Sequence, residues 1–179
     1  MNEVKKYKNM EEMQKDRQEY FKSKYEFLKT NEIGFVATNL IGFKKDHPDA
    51  IIPTKAEPEA TGYDLSSIED VVIEPGEHKL VSTGLKWEAK GYDLSIRPRS
   101  GLAAKNMITV LNTPGSVDSS YRGILKVILI NHSKIPFKVE KGMRIAQAVF
   151  HKVESVVIGE LEELSDTIRG DGGMGSTGK

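Results

Sequence analysis

The sequence predicts an all-β sandwich or barrel, and three observations carry that reading. After Asn31 the chain becomes rich in β-branched residues, with Gly34, Gly42 and prolines at 48, 53 and 58. Short runs of alternating apolar and polar residues then follow one another at close spacing. Turn-forming residues separate the runs, as connections between strands require. With 179 residues the chain has the size of one domain able to bury a core.

Residues 2–29 are rich in Lys and Glu and free of Gly and Pro, with Met10, Met13, Tyr20, Phe21, Phe27 and Leu28 near a helical period broken by Arg17 and Lys24. They predict a helix with one mostly apolar stripe, suited to packing on its own domain, on a neighbouring subunit or on another protein. Val71 to Ile73, then Pro75-Gly76, then residues 79–87 predict strand, turn, strand, with Val81, Thr83, Leu85 and Trp87 on one face. Tyr92, Leu94 and Ile96 alternate with Asp93, Ser95 and Arg97 up to a break at Pro98. A short helix is predicted over residues 101–106, capped by Ser100. An apolar run from Val110, a turn containing Asn112, Pro114 and Gly115, and an outgoing segment 124–130 predict a hairpin-like loop between two buried strands. Ile135, Phe137 and Val139 repeat the alternation before Lys141-Gly142, and residues 143–150 predict another strand. The tail from Gly170, with five glycines in nine residues, cannot pack by itself and predicts an arm that something else must order.

Composition excludes several classes. Formal net charge is zero, so no overall positive field favours nucleic acid. The absence of Cys removes disulfide and thiolate chemistry, and His47, His78, His132 and His151 are scattered without metal-site spacing. The start is charged rather than apolar and no run is long enough to span a bilayer, which predicts a soluble, cytoplasmic protein.

Asp118 and Tyr121 lie three apart in the central loop, so a carboxylate and an aromatic face can turn toward one small ligand, a pairing suited to a base and sugar. A lone Asp in such a loop is more often a turn former. Arg99-Ser100-Gly101 offers a guanidinium, a hydroxyl and an unobstructed backbone N–H at a predicted helix start, as a polyphosphate requires. In isolation the same arginine is a plain surface charge. Gln147 puts an amide into the apolar row of Ile145 and Val149, which alone reads as a core residue with satisfied hydrogen bonds. Residues 173–179 read G-x-x-x-x-G-K, but a P-loop follows a strand, opens a helix and supplies Ser or Thr after the lysine.

Five stretches set these residues in a pattern: ATGYDL (60–65), PRSGLA (98–103), GSVDSSYRG (115–123), RIAQ (144–147) and RGDGGMGSTG (169–178). They match the order and approximate spacing of the five motifs of trimeric dUTP pyrophosphatases, and the chain resembles that family from about Gly42 to its C-terminus. The resemblance implies a β-barrel or jelly-roll homotrimer with active sites at subunit interfaces. With the predicted N-terminal helix, about which the resemblance says nothing, the chain divides into a helical extension (1–32), a β domain (33–168) and a flexible arm (169–179). The resemblance implies hydrolysis of dUTP to dUMP and pyrophosphate with Mg²⁺, which limits uracil incorporation into DNA and supplies dUMP for thymidylate synthesis. Asp118 would activate the attacking water, since a carboxylate ionised at neutral pH can take its proton. Tyr121 would leave no room for a 2′-hydroxyl, while Asn112, with Gly115 and Val117 of the same hairpin, would read uracil. Asp64 would meet the hydrated Mg²⁺, which needs few protein ligands. Arg99, Ser100, Gly101 and Gln147 would hold phosphate. Arg169, Gly175, Ser176 and Thr177 would belong to an arm that closes over the nucleotide in another subunit's site.

Three positions depart from the family pattern. Thr61 replaces the alanine of the first motif, Ile124 follows YRG where glutamate is usual, and Met174 stands where the arm usually carries an aromatic that stacks on uracil. A thioether can still cover a ring, so weaker stacking and a less firmly closed arm are expected, not loss of the reaction. The nearest enzymatic rival, dCTP deaminase, would need a glutamate acid/base in the central hairpin, and no Glu occurs between Glu88 and Glu140. A rival of another class is a regulatory module that engages a protein partner through the N-terminal helix. Neither nucleic acid nor membrane is an expected partner.

Overall fold

Side chains in a strand point alternately to its two faces, so the alternation in the sequence sorts residues between a core and a solvated surface. The computed structural model describes residues 41–173, together with Glu19. Over that stretch the chain runs β1 (Ile41–Lys45), β2 (Tyr63–Ser66), β3 (Val71–Ile73), β4 (His78–Ser82), β5 (Leu85–Ala89), β6 (Tyr92–Arg97), α1 (Ser100–Asn106), β7 (Ile108–Val110), β8 (Gly115–Val117), β9 (Lys126–Asn131), β10 (Phe137–Val139) and β11 (Arg144–Lys152). The strands pair antiparallel in four sheets, ordered β1-β5, β10-β3, β2-β11-β6-β8 and β4-β9-β7. The expected mostly β architecture is the observed one. Glu19 apart, the helix expected over residues 2–29 lies outside the described residues, as do the tail residues 174–179.

One apolar cluster joins the sheets, with Leu65, Ile73, Val81, Leu85, Trp87, Leu94, Val127, Leu129 and Ile145 all buried in it. Each such aliphatic side chain contributes about 1.5–3 kcal/mol relative to leaving it in water. Phe150 on β11 meets Tyr63 and Phe43 edge-on, with ring centroids 5.4 and 6.2 Å apart, which ties β2 and β1 to the same rim.

The four-stranded sheet positions the candidate site. Its inner face carries Leu65, Ala146, Ala148, Leu94 and Ile96, all buried. Its other face carries Asp64, Gln147 and Arg97 directly opposite one another on β2, β11 and β6. A register shift between Arg144 and Ala146 marks a bulge in β11 against β2.

Several local expectations need correction. The run 79–87 buries Val81, Thr83, Leu85 and Trp87 as expected, but it is two strands belonging to two sheets. The break falls at Gly84, whose φ of +65° suits glycine, and a Cβ there would lie 2.9 Å from the Cβ of His47 and 3.1 Å from that of Ala50. β3 and β4 flank the Pro75-Gly76 turn but pair with β10 and β9 rather than with each other. The central loop does join two paired strands, β7 and β9. Between them, however, the chain crosses to the other sheet to lay β8 beside β6. Ser100 is the first residue of α1 rather than its cap; Arg99 holds the N-cap position without a side-chain capping bond. Ile135, expected to share a face with Val139, is 70% exposed.

Beyond Lys152 no strand occurs among the described residues, and Val156, Val157, Ile158, Leu161, Leu164 and Ile168 are largely exposed. Among the described residues no helix is long and apolar enough to cross a membrane.

Candidate active site

The site begins with Asp64, a carboxylate buried to 7% exposure on β2. An ionised carboxylate there needs donors, because burying it unpaired would cost several kcal/mol, about the penalty for any desolvated ion. Three side chains supply them. Arg99 Nε donates to Oδ1 at 3.2 Å, Arg144 Nη1 to Oδ2 at 3.0 Å, and Gln147 Nε2 to Oδ1 at 3.4 Å. Arg99 also donates through Nη1 to the carbonyl O of Arg144 at 3.2 Å. The structure thus brings together Asp64, Arg99 and Gln147, which lie far apart in the sequence.

Gly62 lets Gln147 take its place. A Cβ on Gly62 would lie 2.9 Å from both Cβ and Cδ of Gln147 and 3.1 Å from its Oε1, so only glycine admits the amide here. Ser100 and Gly101, exposed at the first turn of α1, follow Arg99 directly. Two guanidinium groups against one carboxylate leave this end of the sheet cationic, and the arrangement can bind a polyanion.

Arg144 is the residue that sequence reasoning missed. Three positions from Gln147, it would point to the opposite face of a regular strand. The extra residue at the bulge cancels that alternation and brings Arg144 and Gln147 to one carboxylate. The available signal was the RIAQ stretch itself, which contains both residues.

The second group lies in the loop between β7 and β9. Asn112 packs on Gly115, where a Cβ would fall 2.7 Å from its Nδ2 and 3.0 Å from its Cγ. Gly115 and Val117 are the ends of β8, and Asp118 opens a turn closed by the Tyr121 N–H donating to the Asp118 carbonyl O at 3.0 Å. Tyr121 lies over Gly123, donates its hydroxyl to the Ile124 carbonyl at 3.2 Å and remains 44% exposed. Asp118 is exposed.

The two groups leave the shared sheet at opposite ends. β8 pairs Val117 with Leu94 and Gly115 with Ile96. By the same register Asp118 comes level with Asp93 near the start of β6, and Arg99 follows its Arg97 end, about six residues or roughly 20 Å further along. Arg169 donates Nε to the Gly172 carbonyl O at 2.8 Å within its own segment. Met174, Gly175, Ser176 and Thr177 are outside the described residues.

An antiparallel β frame with a guanidinium-rich cluster at one end of a sheet and an exposed carboxylate with an aromatic at the other has the chemistry to accept a small phosphorylated molecule. The family model named dUTPase matches residues 48–178, and the chain belongs to the dUTPase family. A deoxyuridine 5′-triphosphate nucleotidohydrolase of Nautilia profundicola is 60% identical over 137 residues, which are 76% of this chain and 96% of that protein. A variant dUTPase of Staphylococcus bacteriophage 80alpha, solved with dUpNHpp, is 25% identical with a TM-score of 0.71, covering 79% of this chain and 99% of that one. A variant dUTPase from phage phi11 of S. aureus, solved with a structural Mg(II) ion, is 22% identical with a TM-score of 0.63 over 70% of this chain and 98% of its own.

Proposed function

We propose that this chain is a dUTP diphosphatase, hydrolysing dUTP to dUMP and pyrophosphate. The observation that carries this is its 60% identity across 96% of a named deoxyuridine 5′-triphosphate nucleotidohydrolase. A cytoplasmic location suits that substrate.

The proposed reaction is one in-line displacement. Asp118 accepts a proton from a water whose oxygen bonds to the α-phosphorus. The bond from that phosphorus to the oxygen bridging to the β-phosphorus breaks, and its electron pair leaves with pyrophosphate. Arg99, Ser100, Gly101 and Gln147 hold the phosphate chain, joined by Arg169, Ser176 and Thr177 of the closing arm. Asn112 and the β8 backbone at Gly115 and Val117 read uracil, Tyr121 excludes a ribose 2′-hydroxyl, and Met174 with Gly175 covers the base.

Among the described residues no cluster of three or more His, Asp or Glu offers a metal cage. Asp64 accepts three hydrogen bonds of the roughly four that its oxygens can take, which leaves room for one water. It fits a hydrated Mg²⁺ met through that water, not a directly bound ion. Such an ion supplies charge neutralisation on the phosphate oxygens.

We read the architecture as a jelly-roll homotrimer with shared sites. Two observations support this. Asp118 and Arg99 leave the sheet of one chain toward opposite ends, and the apolar side chains from Val153 to Ile168 are exposed among the described residues. Coexpressed Asp118→Ala and Arg99→Ala chains, each inactive alone, should recover part of the parental turnover. No recovery in a verified mixed oligomer would overturn shared sites.

The activity is tested by pyrophosphate and ammonia release from dUTP, dCTP, dTTP and UTP with Mg²⁺. Pyrophosphate from dUTP alone is expected; ammonia from dCTP would make the chain a deaminase.

A further inference from the structure

Arg144 has no part in the roles given above, yet it makes the contacts that decide where Arg99 lies. Three hydrogen bonds close a ring: Arg99 Nε to Asp64 Oδ1 at 3.2 Å, Arg144 Nη1 to Asp64 Oδ2 at 3.0 Å, and Arg99 Nη1 to the Arg144 carbonyl O at 3.2 Å. A guanidinium held by one acceptor can pivot about that bond. Arg99 has two acceptors on two different strands, which fixes the plane of its fork. One acceptor is the carbonyl of Arg144, and the other is a carboxylate that the Arg144 side chain pins from its second oxygen. Exposure falls across the ring from 53% for the Arg144 side chain to 26% for Arg99 and 7% for Asp64. The bulge between Arg144 and Ala146 is what turns the Arg144 side chain to this face.

We infer that Arg144 is a positioning residue for the phosphate subsite, orienting Arg99 through Asp64 and leaving the three-residue cluster with one net positive charge for a polyanion. The inference rests on the phosphate-binding role of Arg99 proposed above. A side chain that merely supports the fold would affect base and phosphate recognition alike, whereas this one acts on phosphate alone.

The test uses the full-length chain at fixed Mg²⁺ with two probes as inhibitors of dUTP turnover, inorganic pyrophosphate and deoxyuridine. Arg144→Met should weaken pyrophosphate inhibition about 10-fold, the scale of one charge-assisted hydrogen bond. It should leave deoxyuridine inhibition within about twofold, while the melting temperature falls by roughly 2–12 °C because the buried Asp64 loses the donor to its Oδ2. Arg144→Lys, which restores charge without the planar fork, should recover pyrophosphate inhibition to within about threefold of the parent. Unchanged pyrophosphate inhibition in Arg144→Met would overturn the inference, as would equal weakening of both probes. Absence of dUTP turnover by the unsubstituted chain would instead remove the functional reading beneath it.

Discussion

Replacing Gly62 by alanine tests whether the Gln147 amide is held in place by close packing. The added Cβ would lie 2.9 Å from Cβ and Cδ of Gln147, whereas carbon atoms in contact prefer about 3.5–4.0 Å. β2 and β11 must therefore separate, or Gln147 retreat, by about 0.6 Å. Because one clashing atom is the base of the Gln147 side chain, a rotamer change alone cannot absorb it. Overpacking of this kind costs about 1–3 kcal/mol, which for a chain of this size lowers the melting temperature by roughly 2–12 °C. The 3.4 Å bond from Gln147 to Asp64 is already long and would be lost. If Gln147 holds phosphate, its displacement should reduce kcat/KM for dUTP by about 10- to 100-fold. Pyrophosphate release and thermal unfolding measure both effects. A kcat/KM within twofold of the parent would refute the placement of Gln147 in the site, and an unchanged melting temperature would refute the close contact itself.

Other perturbations probe separate links. Gly115→Ala would place a Cβ 2.7 Å from the Asn112 amide nitrogen; the exposed Asn112 side chain can swing away, so stability should hold while preference for dUTP over dCTP falls about tenfold. Steady-state rates on both nucleotides check this, and unchanged preference would count against a base-reading Asn112. Met107 has left-handed backbone (φ 55°) at the C-cap of α1, with its side chain 54% exposed. Met107→Gly should therefore stabilise by about 1 kcal/mol, seen as a melting temperature higher by roughly 2–4 °C. A decrease would show that the side chain packs more than its exposure implies. Asp46 is held below its usual 3.8 because the Lys86 ammonium bonds its ionised form. The unfolded chain thus binds more protons, and the pair's contribution is complete above 3.8 and fades as pH falls through the lower folded value. Lys86→Met should flatten the acid limb of melting temperature against pH; an unaltered limb would refute the link.

The fold class was legible because alternation is local: Leu94 and Ile96 on β6, and Val81, Thr83, Leu85 and Trp87, are buried as their spacing predicts. Pairing was less legible, since it depends on contacts far along the chain. Gly84 divides one predicted run into two strands of different sheets, and a turn at Pro75-Gly76 joins strands that are not partners. Asp64, Arg99 and Gln147 were singled out as candidates by their motifs, but their meeting at the Asp64 carboxylate was not legible, because 35 and 83 residues separate Asp64 from the other two. Arg144 stayed hidden because a bulge has no local sequence signature, and only the bulge reverses its face. The break between Asp118 and Arg99 follows from β8 lying beside β6, a crossing that the hairpin-like reading of residues 110–129 did not contain.

The most direct test of the account is single-turnover pyrophosphate release from dUTP by the parent chain and by Asp118→Ala. Loss of the proposed general base should slow the chemical step by about 10²- to 10⁴-fold, with dUTP binding little changed. Release at the parental rate would contradict the assignment of Asp118, and with it the mechanism proposed for this chain.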